Sequence, residues 1–86
     1  RLGDFPALTE ATFLRCNLTE VNFLKNSPLL QRLNLKHNLL ESLPAFFSDF
    51  IELRSLDLSD NPLRRIELNL ERLTQLEELE IKLHRK

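Results

Sequence analysis

The sequence predicts an α/β solenoid, in which a short unit recurs along the chain and places a parallel β-sheet on one face and irregular, 3-10 or short helical segments on the other. Three observations carry this prediction. Leucine supplies 22 of the 86 residues, while tyrosine, tryptophan and methionine are absent. Glycine occurs once, at Gly3, although helix C-caps and hairpin turns usually need it. An L-x-x-L-x-L pattern also recurs from residues 8, 30, 53 and 76.

Two blocks define the repeat. Residues 30–40 read LQRLNLKHNLL and residues 53–63 read LRSLDLSDNPL, and both fit L-x-x-L-x-L-x-x-N-x-L. A degenerate copy begins at Leu8 and a truncated copy at Leu76, so the spacings are 22, 23 and 23 residues. On these residues the chain resembles the leucine-rich-repeat family, and the resemblance covers essentially its whole length.

The resemblance implies one segment over residues 1–86. Its parts are a partial repeat 1–7, repeats 8–29, 30–52 and 53–75, and a truncated repeat 76–86. Because the chain starts and stops inside repeats and does not begin with methionine, we expect a fragment of a larger protein. Flanking repeats or caps are expected in the full-length chain, since a solenoid needs them to cover its last core layer.

The core columns follow from strand geometry. The leucines at positions 4 and 6 of each unit point inward because side chains alternate along a strand, and strands of successive units stack about 4.8 Å apart. Columns of apolar residues continue through the second half of each unit. The residues predicted to point inward there are Val21, Leu24, Ser27, Leu43, Phe47, Phe50, Ile66, Leu70 and Leu73, with Leu2 and Phe5 before them; Phe23 and Phe46 fall outside the main columns.

An asparagine column follows each strand. An asparagine amide both donates and accepts, so Asn38 and Asn61 are predicted to satisfy backbone groups that the bend buries. Cys16 fills the same column, and the leucine-rich-repeat resemblance implies that cysteine is accepted there. His84 departs from the asparagine pattern. This predicts weaker hydrogen bonding in the column at the C-terminal end.

The strand positions that point outward are the candidate binding surface. The resemblance places them on the concave face of an arc, where they are free to vary. They are basic in repeat two and acidic in repeats three and four, Arg54 is expected beside Glu77, and the alternative is that the charges only neutralise each other. The candidate partner-binding residues are Leu14, Arg15, Arg32, Asn34, Lys36, His37, Arg54, Asp57, Asp60, Glu77 and Glu80.

The sequence favours protein binding over other function classes. A net charge of −1 gives no basic field for nucleic acid, and no apolar run approaches the ~18 residues that span a bilayer. His37 and Asp60 share a column, and Ser59, counted among the outward residues, is adjacent, but nothing supplies an oxyanion hole. We therefore expect no enzyme, no cofactor and no metal site, and another protein or peptide as the partner.

The C-terminal residues 71–86 allow an alternative. They are rich in Leu, Glu, Lys and Arg, which favour helix. The leucines at 70, 73, 76 and 79 step by three, which drifts around a helix rather than lining one face. The repeat frame explains all four, so we prefer a strand there.

Two compartments remain open. Asn17-Leu18-Thr19 is a glycosylation sequon, and Asn17 takes an exposed column, so it is a candidate acceptor. That favours a secreted or receptor ectodomain that binds a partner. Leu43-Pro44 followed by Phe47 suits both extracellular receptor repeats and intracellular scaffold repeats of the family. The alternative is therefore an intracellular scaffold or adaptor that organises signalling proteins.

Overall fold

The computed structural model describes residues 6–82, and its main element is a four-stranded parallel sheet. Each strand of this sheet has three residues, and the spatial order is β1-β2-β4-β6. Two further strands form a separate parallel pair, β3-β5. The strands are β1 Glu10–Thr12, β2 Arg32–Asn34, β3 Ser42–Leu43, β4 Ser55–Asp57, β5 Arg65–Ile66 and β6 Glu78–Glu80.

The register of the large sheet confirms the predicted parallel strands. Leu33 lies opposite Ala11 on one side and Leu56 on the other, and Leu56 lies opposite Leu79. Backbone bonds continue the pairing beyond the three-residue strands: the Leu35 N–H donates to the Asp57 carbonyl at 2.8 Å. Equivalent positions of successive units therefore lie side by side, as the spacing of the leucines predicts.

The return segments between the strands of the large sheet carry two 3-10 helices, η1 (Asn22–Leu24) and η2 (Ala45–Asp49). Pro44 precedes η2 with φ −66°, where its missing N–H leaves no helical bond unmade. β3 and β5 pair in the same parallel sense, with Ser42 opposite Arg65. The Asn69 N–H donates to the buried Ser48 hydroxyl at 2.8 Å, which ties the return segment after β5 to η2.

The core lies between the four-stranded sheet and these return segments. Leucines of the strand columns and of the return segments form one apolar cluster with Phe47 and Phe50, which are no more than 1% exposed. The two rings pack edge to face with their centroids 5.1 Å apart, and Phe46 joins them from a half-buried position. Phe23 stacks edge to face on Phe13 in the same way, at 5.3 Å. The five phenylalanines within residues 6–82 thus pack in the core or against it.

Three apolar residues near β6 differ from the prediction. Ile66 and Leu70, predicted to point inward, are 43% and 53% exposed, and Leu79 of β6 is 37% exposed. Their column neighbours Leu43 and Phe47 are fully buried. Within residues 6–82 no further segment packs over this side, so the same column is buried in the middle units and open beside β6. Leu2 and Phe5 lie outside the described residues.

The helical alternative for the C-terminal residues is wrong over residues 71–82. Turns occupy 70–72 and 74–75, and β6 follows. Over residues 6–82 the chain contains no helix with the length and hydrophobicity to cross a membrane.

Candidate functional site

The outward face of the four-stranded sheet is the main candidate surface. Two rows of side chains cross it at right angles to the strands, because equivalent residues of neighbouring strands lie in register. They border a shallow groove of about 210 Å³. The first row is Glu10, Arg32, Ser55 and Glu78, and the second is Thr12, Asn34, Asp57 and Glu80.

Two ion pairs bridge neighbouring strands on this face. The Arg32 Nε lies 3.8 Å from a Glu10 carboxylate oxygen, and the Arg54 Nη1 lies 3.9 Å from Glu77. The second pair is the neighbour relation that the sequence predicts. All four side chains are at least half exposed, and exposed pairs contribute only about 0–1 kcal/mol. The charges of these pairs are therefore not needed to hold the strands together.

The remaining charges divide the face by sign. Asp57, Glu78 and Glu80 border the groove on the β4–β6 side, and none of them has an ion pair within residues 6–82. Lys36 and Arg15 follow β2 and β1 and also lack one in that part of the chain. The face thus has an uncompensated acidic half and a smaller basic half.

Asn34 and Asp57 have a second role that the sequence reasoning missed. The Asn34 Oδ1 accepts from the Lys36 N–H at 2.9 Å, and the Asp57 Oδ1 accepts from the Ser59 N–H at the same distance. Such bonds to the backbone two residues on form Asx turns. The signal was present, because Asn34 and Asp57 occupy equivalent positions, each between the two inward leucines of its strand. These two side chains therefore stabilise the backbone turn after their strands and also line the outward face.

The bend after each strand passes through a left-handed residue. Arg15, His37 and Asp60, at the same position of three units, have φ values of 56°, 61° and 60°. Non-glycine residues pay a steric cost in this region. Left-handed conformations at these three residues let the chain turn after each strand, although glycine occurs only at Gly3. The His37 Nδ1 also lies 3.1 Å from the Asp60 Oδ2. The two residues, which share a column in the sequence, are therefore in direct contact.

The asparagines hold this bend together. The Asn61 Nδ2 donates to the Leu58 carbonyl at 3.0 Å and to the Leu35 carbonyl of the preceding unit at 2.9 Å, while its Oδ1 accepts from the Leu40 N–H at 3.1 Å. Asn61 is fully buried. The amide therefore binds backbone of two units, as its donor and acceptor groups predict.

Asn38 repeats this arrangement one unit earlier. Its Nδ2 donates to the Leu35 and Phe13 carbonyls, and its Oδ1 accepts from the Cys16 and Leu18 N–H groups. Cys16 itself differs from the prediction of a buried rung, because its side chain is exposed and its thiol reaches only the Leu14 carbonyl, at 3.5 Å. The weak donor of a thiol cannot replace an amide that both donates and accepts.

Ser59 corrects one further expectation. It was predicted to point outward but is 1% exposed, and its hydroxyl has no hydrogen-bond partner within residues 6–82. Its neighbours in the same register are Lys36 and Lys82. His37 and Asp60 are in contact, but Ser59 does not join them, so this part of the chain assembles no Ser-His-Asp triad.

Two further predicted residues lie at the surface. Leu14 is 46% exposed, and Asn17 is exposed with φ 57°. Among residues 6–82 no group of three His, Cys, Asp or Glu side chains could hold a metal ion. His84 lies outside the described residues.

Comparison of the chain with protein-family models, with curated proteins and with solved structures gives no match in any of the three.

Proposed function

We propose that this chain is a segment of a leucine-rich-repeat solenoid and binds another protein through the outward face of its four-stranded sheet, which would be the concave face of the arc. The repeat assignment is supported by the 22- and 23-residue spacings, by the side-by-side register of equivalent positions, and by the buried asparagines that bind two units each.

One observation carries the binding proposal. The outward face bears charges of both signs that form no ion pair within residues 6–82, with Lys36 and Arg15 on one side and Glu78, Glu80 and Asp57 on the other. Surfaces that only solubilise a protein intersperse the two signs. A separated arrangement instead orients a charged partner and accelerates its encounter.

The geometry favours an extended partner segment laid across the strands. Four strands about 4.8 Å apart span roughly 14 Å, which an extended peptide of about five residues covers. Its acidic end would lie over Arg32 and Lys36 and its basic end over Glu78 and Glu80. The groove is shallow, so side chains rather than a deep pocket would carry recognition.

The test uses synthetic extended peptides of about eight residues. One has an acidic first half and a basic second half. The controls are an all-neutral peptide and one in which only the carboxylates are replaced by amides. Fluorescence anisotropy at low and high salt should show binding of the charged peptide only, weakened by salt.

Charge reversal locates the surface. Reversal of Arg32 and Lys36 to glutamate should weaken binding about tenfold, whereas the matched reversal of Arg64 and Arg65, beside and within β5, should change it less than twofold. Equal effects of the two double variants would show that the outward face is the wrong surface. Unchanged binding in both would reject the polarised face as the basis of recognition.

A second candidate is a segment of an intracellular leucine-rich-repeat scaffold that organises signalling proteins. The exposed, unpaired Cys16 thiol favours it, because such a thiol persists in a reducing compartment. The sequon at Asn17 favours a secreted or receptor ectodomain, which is our first choice.

A further inference from the structure

The turn that follows β1 carries the sequon, and its geometry suits modification. Asn17 and Thr19 are both exposed, whereas Leu18 between them is half-buried. Neither exposed side chain has a hydrogen-bond partner within residues 6–82. The backbone around them is fixed from below, because the Asn38 Oδ1 accepts from the Cys16 and Leu18 N–H groups. The acceptor amide is therefore exposed on a turn whose backbone is hydrogen-bonded to Asn38.

The surface beside Asn17 is apolar and uncovered. Asn17 and Leu39 are equivalent residues of successive units, and the Leu39 N–H donates to the Leu18 carbonyl at 2.8 Å, so the two turns are adjacent. Leu39 is 49% exposed. It forms, with Pro62 and the His37–Asp60 contact, an open concavity of about 520 Å³. This flank lies at the end of the strands, to the side of the outward-face groove.

We propose that Asn17 carries an N-linked glycan whose first N-acetylglucosamine lies against Leu39 on this flank. In the transfer, the Asn17 Nδ2 forms a bond to C1 of a sugar on a polyprenyl-diphosphate carrier. The bond from C1 to the diphosphate oxygen breaks, the amide nitrogen gives one proton to a base of the transferring enzyme, and the polyprenyl diphosphate leaves. The apolar face of the sugar ring and its acetyl methyl group would cover the exposed leucine. The glycan would lie beside the groove of the outward face rather than in it.

The decisive experiment examines the protein isolated from the cells that make it. Trypsin cleaves after Arg15 and Lys25, so residues 16–25 form one peptide that contains Asn17 and, as an internal control, Asn22 outside any sequon. Treatment with a peptide N-glycosidase in ¹⁸O-labelled water should convert Asn17 to labelled aspartate and leave Asn22 unchanged. A native peptide with Asn17 unmodified throughout would overturn the proposal.

Variants secreted from a eukaryotic host test the sequon and its packing. Asn17→Gln and Thr19→Ala should abolish the glycan, whereas Thr19→Ser and Asn22→Gln should retain it. Removal of the glycan should lower the Tm by roughly 2–4 °C, and Leu39→Ser should reduce this difference by at least half. A difference that is unchanged in Leu39→Ser would overturn the proposed packing. Because the glycan is added on the luminal side, its detection would also favour the ectodomain over the intracellular scaffold, whatever the peptide-binding result.

Discussion

The smallest decisive feature is the side-chain amide of Asn61. It satisfies two buried carbonyls and one buried N–H that the bend would otherwise leave without partners. Each buried backbone group left unpaired costs about 1–3 kcal/mol. The residue was predictable, since the short asparagine side chain in that column offers two N–H donors and a carbonyl acceptor at once.

Asn61→Leu should therefore lower the free energy of unfolding by at least 3 kcal/mol. Urea denaturation followed by circular dichroism measures the change, and loss of the folding transition is the extreme form of the same result. Asn22→Ala is the matched control, because Asn22 is exposed, and its loss should cost less than about 0.5 kcal/mol. A similar cost for both variants would contradict the role of the amide.

The left-handed residues give a second prediction at this scale. At Arg15, with φ 56°, glycine removes a steric cost of about 1–2 kcal/mol and adds about 0.5–1 kcal/mol of chain entropy. Arg15→Gly should thus stabilise the fold slightly, with a higher Tm in a thermal melt. Arg64→Gly, outside the left-handed region, should lower the Tm. A lower Tm in both would show that the bend is not strained.

At the scale of elements, the return segments show that the local sequence pattern alone does not predict which apolar residues are buried. Phe47 and Leu70 occupy the same column, yet the first is fully buried and the second 53% exposed. The strands of the four-stranded sheet followed directly from the spacing of the leucines, because the residues that decide them are local. Burial of a column depends on whether another segment lies over it, which a pattern within one unit does not contain.

The contrast between these two residues is measurable. Phe47→Ala should cost about 3–5 kcal/mol, because it empties a packed site between other rings. Leu70→Ala should cost less than about 1 kcal/mol. Chemical denaturation of the two variants beside the unmodified chain gives both values. Comparable losses would mean that Leu70 is packed as deeply as its column predicts.

For the molecule as a whole, order should fall toward β6. The Leu35 and His37 N–H groups join β2 to the segment of β4, in the middle of the sheet. The Leu58 and Asp60 N–H groups join β4 to β6, where Leu79 and its neighbours are partly open to water. A strand whose apolar side chains are partly open to water within residues 6–82 has fewer stabilising contacts, so its hydrogen bonds open first.

Amide hydrogen exchange of the 86-residue chain, followed by NMR, should accordingly show slower exchange at Leu35 and His37 than at Leu58 and Asp60. The gap should be about tenfold or more, equivalent to about 1.4 kcal/mol of opening free energy. Equal rates at the four sites would indicate that the sheet opens as one unit.

The asparagine bonds also have a direction along the chain. Asn38 binds the bend of the unit before it, and Asn61 does the same one unit later. During synthesis, a bend therefore stays incomplete until about one more unit has left the ribosome, which at roughly 5–20 residues per second takes about one to five seconds. The hydrogen bonds of each bend are thus completed by the unit that follows it. The chain should therefore fold during translation rather than after it.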